Sequence, residues 1–329
     1  MIRTGEREGF VNVWRFTFPT LKRLVRFRAH TADIQSCAYV DNTIWFASRD
    51  GTISVWDTEF ICLSRMKLPG QGGVCGAQVY SDKRGKKKIL SVIQGTPTIV
   101  VWDVELRKVE DEIDLGKHIA TSFSLGKFTL YVGTSLGAIL SVNVETREVE
   151  VLTSGSVNGE ESAPVSQLLY LQEEPAEVWA AREKQIDVWR VDEHNRFVAV
   201  RKLCSHRYNI SSLAASHEGY VISGDTSGTV LVWNARVHQI PVAFASNQRL
   251  QKFRPFRFEK MKLQNTMVSQ CPLQPDCVLI AHLNGFLTLL HHSGTPLEKL
   301  EVVEKKEQAR GIETGEDISE QSESESESE

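Results

Sequence analysis

The sequence contains no long apolar run. No stretch approaches the ~18 uninterrupted apolar residues that identify a membrane-spanning helix. The opening residues, MIRTGEREGF, carry charges where a secretory signal would need an apolar segment. We therefore expect no membrane insertion, and we expect the protein to be cytoplasmic or nuclear.

The sequence is also poor in patterns that carry chemistry. Its six cysteines include no Cys-x-x-Cys pair, and most lie in apolar runs such as IQSCAYV, which predicts buried and reduced thiols. Cys271, Cys277, His291 and His292 have a spacing that fits no familiar metal site. There is no glycine-rich phosphate loop and no recurring pair of carboxylates. We expect a protein that is not an enzyme, with no cofactor, metal or small-molecule substrate.

Charge divides the chain into two parts. Residues 303–329 contain ten acidic and three basic residues, a net charge of −7, which leaves about +3 on residues 1–302. This composition predicts a folded domain over residues 1–302 and a disordered acidic tail over residues 303–329. Three overlapping Ser-x-x-Glu steps make Ser322, Ser324 and Ser326 candidate phosphorylation sites. The tail would solubilise the protein, compete for a basic surface of the same chain, or recruit a basic partner.

What the sequence does contain is an internal repeat. Short alternating strands such as FVNVW, TISVW and TVLVW recur and end on a bulky residue, at steps of 42, 46, 40, 47, 44 and 57 residues. Five of the seven tryptophans fall at this repeat position. The residues at that position are Trp14, Trp56, Trp102, Val142, Trp189, Trp233 and Leu290.

Other strands surround each of these central strands. An apolar strand and a turn precede it, a further strand precedes those, and a short polar turn with a fourth run follows it. Four short strands per period of about 40–45 residues predict the blades of an all-β β-propeller.

The repeats resemble those of WD-repeat proteins over nearly all of residues 7–302. Trp56-Asp57 and Trp102-Asp103 keep the dipeptide that names the family, whereas Trp233-Asn234 and Val142-Asn143 are drifted versions. The resemblance implies a rigid platform whose loops bind other proteins. It identifies no subfamily.

The resemblance also implies a buried hydrogen-bonded tetrad of His, Ser or Thr, Asp and Trp in each repeat. Only the second repeat has all four residues, and the sixth has three, because Ser227 stands where the turn Asp is expected. We expect the tetrad to staple the repeat rather than to catalyse a reaction. The expected members are His30, Ser48, Asp50 and Trp56 in the second repeat, and His206, Ser223 and Trp233 in the sixth.

The first repeat begins in mid-unit. We expect it to supply only two strands, FVNVW and KRLVRF, before six complete four-stranded blades, so that a seven-blade arrangement is favoured. Three explanations remain open: residues missing upstream, a six-bladed ring with an accessory hairpin, or a gapped ring that a partner strand completes.

One face of the predicted propeller is rich in arginine. The turns between second and third strands and the connections between repeats open onto this face, together with the basic and aromatic insertion at residues 246–262. Arginine forks beside aromatic rings suit an acidic or phosphorylated protein segment. The alternatives are RNA, as in ribosome assembly, or phenylalanines that pack under the loop while the charges stay solvated. The candidate partner-binding residues are Arg7, Arg49, Arg182, Arg207, Tyr208, Arg254, Phe256 and Arg257.

Two further motifs are weaker. The basic run DKRGKKK at residues 82–88 lies on the opposite face and predicts a solvated loop, with nuclear import or nucleic-acid contact as the alternative. Trp233 and Arg236 resemble the box with which some propellers dock on the adaptor of a cullin-type ubiquitin ligase, although Asn234 replaces the usual Asp. The main functional hypothesis is a non-enzymatic interaction scaffold. Its rivals are an RNA-associated propeller and a ligase substrate receptor.

Overall fold

The structure is a computed structural model. It describes residues 2–5, 7–17, 20–68, 72–154, 156–157, 160–172, 175–191, 196–215, 219–227, 230–235, 266–270, 277–282 and 287–291. Several predicted features lie outside these residues: the insertion at 246–262 with Arg254, Phe256 and Arg257, the box residue Arg236, and the tail with Ser322, Ser324 and Ser326.

The first sheet corrects the prediction of a two-stranded opening unit. It has three strands in the order β1 (Ile2–Gly5), β2 (Phe10–Thr17) and β3 (Thr20–Arg28). β1 pairs antiparallel with β2, with Ile2 opposite Trp14, and a short 3-10 helix (Arg7–Gly9) connects them. The sequence IRTG is too short to show apolar alternation, so only its pairing with the free edge of β2 defines it as a strand.

Sheets 2 to 5 each contain four antiparallel strands in chain order. Sheet 2 consists of β4 (Ile34–Val40), β5 (Thr43–Ser48), β6 (Thr52–Trp56) and β7 (Cys62–Lys67). Sheet 3 consists of β8 (Val74–Ser81), β9 (Lys87–Ile93), β10 (Thr98–Asp103) and β11 (Lys108–Asp114). Sheet 4 consists of β12 (Ala120–Leu125), β13 (Thr129–Thr134), β14 (Ile139–Asn143) and β15 (Val149–Thr153).

A two-stranded hairpin, β16 (Ser156–Val157) and β17 (Glu160–Glu161), leads into sheet 5. Sheet 5 consists of β18 (Val165–Leu171), β19 (Glu177–Arg182), β20 (Gln185–Val191) and β21 (Phe197–Leu203). Three strands are described in each of the last two sheets. These are β22 (Ile210–Ala215), β23 (Tyr220–Asp225) and β24 (Val230–Asn234) in sheet 6, and β25 (Thr266–Gln270), β26 (Cys277–His282) and β27 (Leu287–His291) in sheet 7.

The sheets share irregularities as well as strand order. In the pairing of first and second strands of sheets 2 to 6, the register shifts at the start of the first strand, as at Ile34/Ser36 and Val165/Gln167. In sheets 2, 3 and 5, the pairing of third and fourth strands shifts immediately before the tryptophan of the third strand, and in sheet 1 the pairing of β2 with β3 shifts immediately before Trp14. A β-bulge at one fixed place re-aims the same side chain in each sheet. The predicted repeat is therefore a structural repeat.

Each apolar core lies between two successive sheets. Trp56 packs with Val11 and Val13 of sheet 1, and Trp102 packs with residues of sheet 2. Trp189 and Trp233 contact the clusters shared with sheets 4 and 5, respectively. Each tryptophan thus faces the preceding sheet, and burial of its large apolar surface joins neighbouring sheets. The fold is all-β and built from WD-repeat-like blades.

The first strands of successive sheets lie side by side, and polar side chains link them. The Thr121 hydroxyl donates to the carbonyl oxygen of Val165 at 2.7 Å, and the Ser166 hydroxyl donates to that of Ile210 at 3.1 Å. Gln78 accepts a hydrogen bond from the Leu125 amide at 2.9 Å. These bonds explain why the first strands are less apolar than the second strands.

The expected burial of the cysteines is wrong for three of the four whose side chains the structure describes. Cys37, Cys62 and Cys204 are exposed and Cys75 is half-buried, all as free thiols. Cys62 lies on an outer strand and Cys204 in a connection, where an apolar neighbourhood in sequence does not mean burial. Among the described residues, no helix has the length and apolar character needed to cross a membrane.

Candidate functional site

The two faces of the stacked sheets carry different connections. We call loop face the side formed by the turns between second and third strands (48–51, 93–97, 134–138, 183–184 and 226–227) and by the connections that enter sheets 2, 4 and 6 (29–33, 115–119 and 204–209). We call opposite face the side formed by the other turns, including residues 82–86. The hydrogen-bond networks under the loop face decide which of its side chains remain accessible.

A chain of hydrogen bonds runs through sheet 2. The imidazole Nδ1 of His30 lies 3.0 Å from Asp50 Oδ2, and its Nε2 lies 2.7 Å from Ser54 Oγ. The Trp56 indole N–H donates to the same Ser54 oxygen at 2.8 Å. Because Nδ1–H donates a hydrogen bond to the Asp50 carboxylate, Nε2 of the neutral ring accepts one from the Ser54 hydroxyl. Every polar atom of this buried chain therefore has a partner.

The hydroxyl member of the predicted tetrad needs a correction, because it is Ser54 and not Ser48. The Ser48 hydroxyl donates instead to the carbonyl oxygens of Ala32 and Asp33, and it accepts from the Asp50 amide. Ser54 lies directly opposite Phe46 in the pairing of β5 with β6. Residues that pair directly across two strands lie side by side on the same face of the sheet, so the hydroxyl can come from either strand.

Sheet 6 has the reverse arrangement. The Ser223 oxygen lies 2.6 Å from His206 Nε2 and accepts from the Trp233 indole at 2.8 Å, and Leu231 is the residue opposite Ser223. The carboxylate at His206 Nδ1 belongs to Asp225, at 3.1 Å. The predicted position, Ser227, donates its hydroxyl to Asp225 at 2.6 Å. The sixth repeat therefore has a complete network, with its carboxylate two residues earlier than expected.

The protonation of the sheet 2 network follows from its surroundings. Burial lowers the pKa of His30 below 6.5, against the opposing effect of the Asp50 carboxylate. Burial alone would raise the pKa of Asp50, but hydrogen bonds from Thr52 and Thr31 outweigh it and bring the pKa to about 2. A neutral imidazole thus bridges a carboxylate and a buried hydroxyl. Ser54 is fully buried and already engaged, so this Asp-His-Ser arrangement acts as a structural staple.

Sheet 5 replaces the network with an ion pair. The Arg182 side chain is 5% exposed, and its Nε donates to Asp187 Oδ2 at 2.9 Å. Its Nη1 donates to the carbonyl oxygen of Gly137, and also to Ser162 Oγ and the Ala163 carbonyl oxygen, both at 3.2 Å. Arg182 was expected to contact a partner, but these bonds hold its guanidinium inside the protein. The buried arginine instead joins the loop-face turns of sheets 4 and 5.

Gly9 makes a close approach that fixes sheet 1 to the sheet 2 network. Its carbonyl oxygen accepts from the backbone amides of Ala29 at 2.8 Å and His30 at 3.1 Å. A Cβ at Gly9 would lie 1.9 Å from the His30 carbonyl oxygen, and its φ of +79° also favours glycine. The glycine is therefore required for the position of His30.

Three of the predicted partner-binding residues are described and exposed. Arg49 is 54% exposed, with its guanidinium 3.6 Å from Asp33, and it lies in the turn of sheet 2. Arg207 and Tyr208 are exposed in the connection that enters sheet 6. The backbone of Arg7 lies in the 3-10 helix between β1 and β2. Sequence reasoning missed two further exposed cations on the loop face, Lys117 and Lys184.

The basic run on the opposite face is largely engaged in ion pairs. Lys86 pairs with Asp103, Lys87 pairs with Asp41 of sheet 2, and Lys88 lies 2.8 Å from Glu110. Lys83 and Arg84 are exposed at the tip of the same loop. Most of this run therefore stabilises sheets 2 and 3 instead of forming a free basic surface.

The Asp of the Trp-Asp dipeptide has a local role on the opposite face. Asp57 Oδ1 accepts from the amides of Glu59 at 2.9 Å and Ile61 at 2.8 Å, and Asp103 accepts from the amide of Leu106 at 2.8 Å. Asn143, the drifted version, accepts from the Glu145 amide at 2.9 Å. Asn replaces Asp without loss because the turn needs only a side-chain oxygen.

Comparison with known families agrees with this geometry. The family model described as WD domain, G-beta repeat matches residues 21–57 and 197–234. Each match runs from the last strand of one sheet to the third strand of the next, and the two matches contain the two sheets with complete His-Ser-Trp networks. Residues 21–57 and 197–234 therefore match WD repeats, and proteins that contain such repeats generally serve as non-enzymatic protein-interaction scaffolds. A search of curated proteins found no match to the chain.

Proposed function

We propose that this WD-repeat protein is an interaction scaffold that binds an acidic or phosphorylated segment of a partner protein on its loop face. The observation that carries the proposal is a set of exposed cations from different sheets on that one face. These are Arg49 of sheet 2, Lys117 of sheet 4, Lys184 of sheet 5 and Arg207 of sheet 6. A surface built from several repeats suits an extended peptide.

Most of these cations are available to a ligand. Within the described part of the chain, Lys117, Lys184 and Arg207 form no ion pair, and Arg49 makes only a long, exposed contact with Asp33. Exposed contacts of this kind contribute little and are easily exchanged for those of a ligand. A carboxylate or phosphate would form charge-assisted hydrogen bonds with Arg207 and Arg49.

The rival functions have less support. An RNA surface on the opposite face would draw on the lysines of residues 82–88, but Lys86 and Lys88 are already paired with Asp103 and Glu110. For the ligase box, the Trp233 indole is buried and bonded to Ser223, and Arg236 lies outside the described residues. We therefore favour a protein partner, met in the cytoplasm or nucleus.

The test measures binding of a labelled Glu-Ser repeat peptide, with and without phosphoserine, by fluorescence anisotropy at increasing salt. We expect Lys184→Glu/Arg207→Glu to weaken binding at least about tenfold, because two contacts become repulsive. The matched control is Lys83→Glu/Arg84→Glu on the opposite face, which has the same change of charge and should bind like the wild type. Equal losses in the two variants would refute the loop face as the site. Tighter binding of single-stranded RNA than of either peptide would favour the RNA alternative.

A further inference from the structure

Part of the loop face carries exposed apolar side chains among its cations. Ile119 is 37% exposed, Leu136 is 45% exposed and Tyr208 is 55% exposed. Isolated exposed apolar residues are ordinary on a protein surface, so their grouping is what matters. The Ser135 amide donates to the Ile119 carbonyl oxygen at 2.9 Å, which places Leu136, the next residue, in the turn beside Ile119.

Buried hydrogen bonds connect this turn to the loop that carries Tyr208. Arg182, from sheet 5, donates to the Gly137 carbonyl oxygen, one residue after Leu136. The backbone carbonyl oxygen of Glu183, the next residue in the sheet 5 turn, accepts a hydrogen bond from the backbone amide of Ile210 at 2.6 Å. Ile210 is two residues after Tyr208. The turns of sheets 4 and 5 and the connection into sheet 6 are therefore fastened to one another. The buried arginine gives this part of the loop face a fixed shape.

Cations flank the apolar residues. Lys117 precedes Ile119 in the same connection, Lys184 follows Glu183 in the sheet 5 turn, and Arg207 precedes Tyr208. All three are exposed. Among described residues, the loop-face turns of sheets 2 and 3 hold no exposed large apolar side chain, so Arg49 stands apart from this patch. We call Ile119, Leu136, Lys184, Arg207 and Tyr208 the sheet 4–6 patch.

From this arrangement we infer that the partner segment carries a large apolar residue among its carboxylates, and that this residue packs on Ile119, Leu136 and Tyr208. The inference rests on the proposed function and narrows it to one place and one ligand chemistry. Lys184 and Arg207 bind the flanking carboxylates. A preformed apolar seat gives affinity that resists salt, whereas the flanking charges select acidic sequences and orient them.

The experiment selects ligands from a random library of 12-residue peptides displayed on phage, using the full-length chain as bait. We expect the selected peptides to be acidic and to contain a Leu, Ile, Phe or Trp near the middle. Replacing that residue by Ser in a synthetic copy should weaken binding at least about tenfold, as is usual for a buried anchor.

Variants of the chain then locate the seat. Ile119→Ser/Leu136→Ser should weaken the selected peptide at least about tenfold. The matched control, Ile61→Ser/Leu106→Ser, changes two exposed apolar residues in turns of the opposite face and should change the affinity by less than about threefold. All positions are exposed, so melting temperatures should match the wild type, and a variant that melts early is replaced by Leu136→Gln alone.

The possible failures are distinguishable. Two outcomes would overturn this inference and leave the proposed function unaffected. One is the selection of acidic peptides that lack an apolar anchor. The other is binding that is lost in Lys184→Glu/Arg207→Glu but kept in Ile119→Ser/Leu136→Ser. Selected peptides without acidic residues would overturn both. A synthetic copy of residues 303–329 is the last competitor to test. If it displaces every selected peptide at equal concentration, the occupant of the patch is the chain's own tail and not a separate partner protein.

Discussion

Replacing Ser54 by Ala should destabilise the protein far more than replacing Ser48 by Ala. The Ser54 hydroxyl accepts a hydrogen bond from the Trp56 indole N–H at 2.8 Å and donates one to His30 Nε2 at 2.7 Å. Its loss leaves a buried donor and a buried acceptor without partners. Ser48, the residue expected from the family pattern, bonds only to backbone groups at the end of its strand.

The magnitudes follow from the number of buried groups left unsatisfied. Each such group costs about 1–3 kcal/mol, so the two groups that Ser54→Ala leaves unsatisfied should lower the free energy of unfolding by about 2–6 kcal/mol. Ser48→Ala should cost about 1 kcal/mol, because Ala32, Asp33 and Asp50 are half-buried turn residues whose backbone groups water can also serve. Ser91 accepts a hydrogen bond from the Trp102 indole N–H at 2.8 Å, so Ser91→Ala leaves one buried donor without its partner. Its cost in free energy of unfolding should lie between the costs of Ser48→Ala and Ser54→Ala.

The assay is equilibrium urea unfolding followed by tryptophan fluorescence, with the shift in midpoint converted to free energy through a shared slope. Ser223→Ala is the internal control, because Ser223 has the same two partners in sheet 6 and should cost as much as Ser54→Ala. A loss for Ser48→Ala that equals or exceeds the loss for Ser54→Ala would refute the assignment of the hydroxyl to β6.

Three other predictions test the supports of the loop face. The pKa of His30 is lowered below 6.5, so the stability that the neutral imidazole contributes is complete above about pH 6.5 and is lost as the pH falls through the lowered pKa. Between about pH 7.5 and pH 5, the melting temperature should therefore fall more steeply for the wild type than for His30→Gln. Parallel slopes for the two proteins would contradict this prediction. Arg182→Met should cost up to about 3–5 kcal/mol, because the Asp187 carboxylate, which is only 14% exposed, loses its charge partner. Asp187→Leu added to it should restore much of that loss in urea unfolding, and an Arg182→Met protein of wild-type stability would contradict a stabilising ion pair. Trp56→Ala should cost about 3–5 kcal/mol through lost burial, and a melting curve close to that of the wild type would contradict the assigned repeat register.

The repeat was predictable because its signal is local and periodic. Alternating apolar residues and tryptophans at regular steps define the third strands, and the structure confirms β6 and β10 where TISVW and TIVVW stand. β1 was not predictable, because four residues with a single large apolar side chain carry no period. Its existence depends on a partner strand.

The networks under the loop face were only partly predictable. His30, Asp50 and Trp56 were identified because each stands where the family pattern places it, and all three take part in the network. Ser54 was missed because cross-strand pairing makes two positions equivalent that are distant in sequence. The sixth repeat held the available signal: the residue of sheet 2 equivalent to Ser223 is Phe46, not Ser48, and a phenylalanine there requires the hydroxyl to come from the residue opposite, Ser54.

The surface was the least predictable part. An arginine in a turn gives no sign of whether it will be exposed like Arg207 or buried like Arg182. The difference comes from Asp187 and from carbonyl groups of the neighbouring sheet, which only the folded chain brings within reach. The grouping of Ile119, Leu136 and Tyr208 likewise depends on contacts between sheets.

The tryptophans of the third strands occupy equivalent places in successive sheets, and this equivalence defines the repeat. The most direct measurement is hydrogen exchange of the indole N–H groups by NMR on ¹⁵N-tryptophan-labelled protein, with signals assigned by single Trp→Phe variants. The account predicts slow exchange for Trp56, Trp102 and Trp233, each bonded to a buried serine, and loss of protection at Trp56 in Ser54→Ala. Rapid exchange at these three indoles in the folded protein would contradict it.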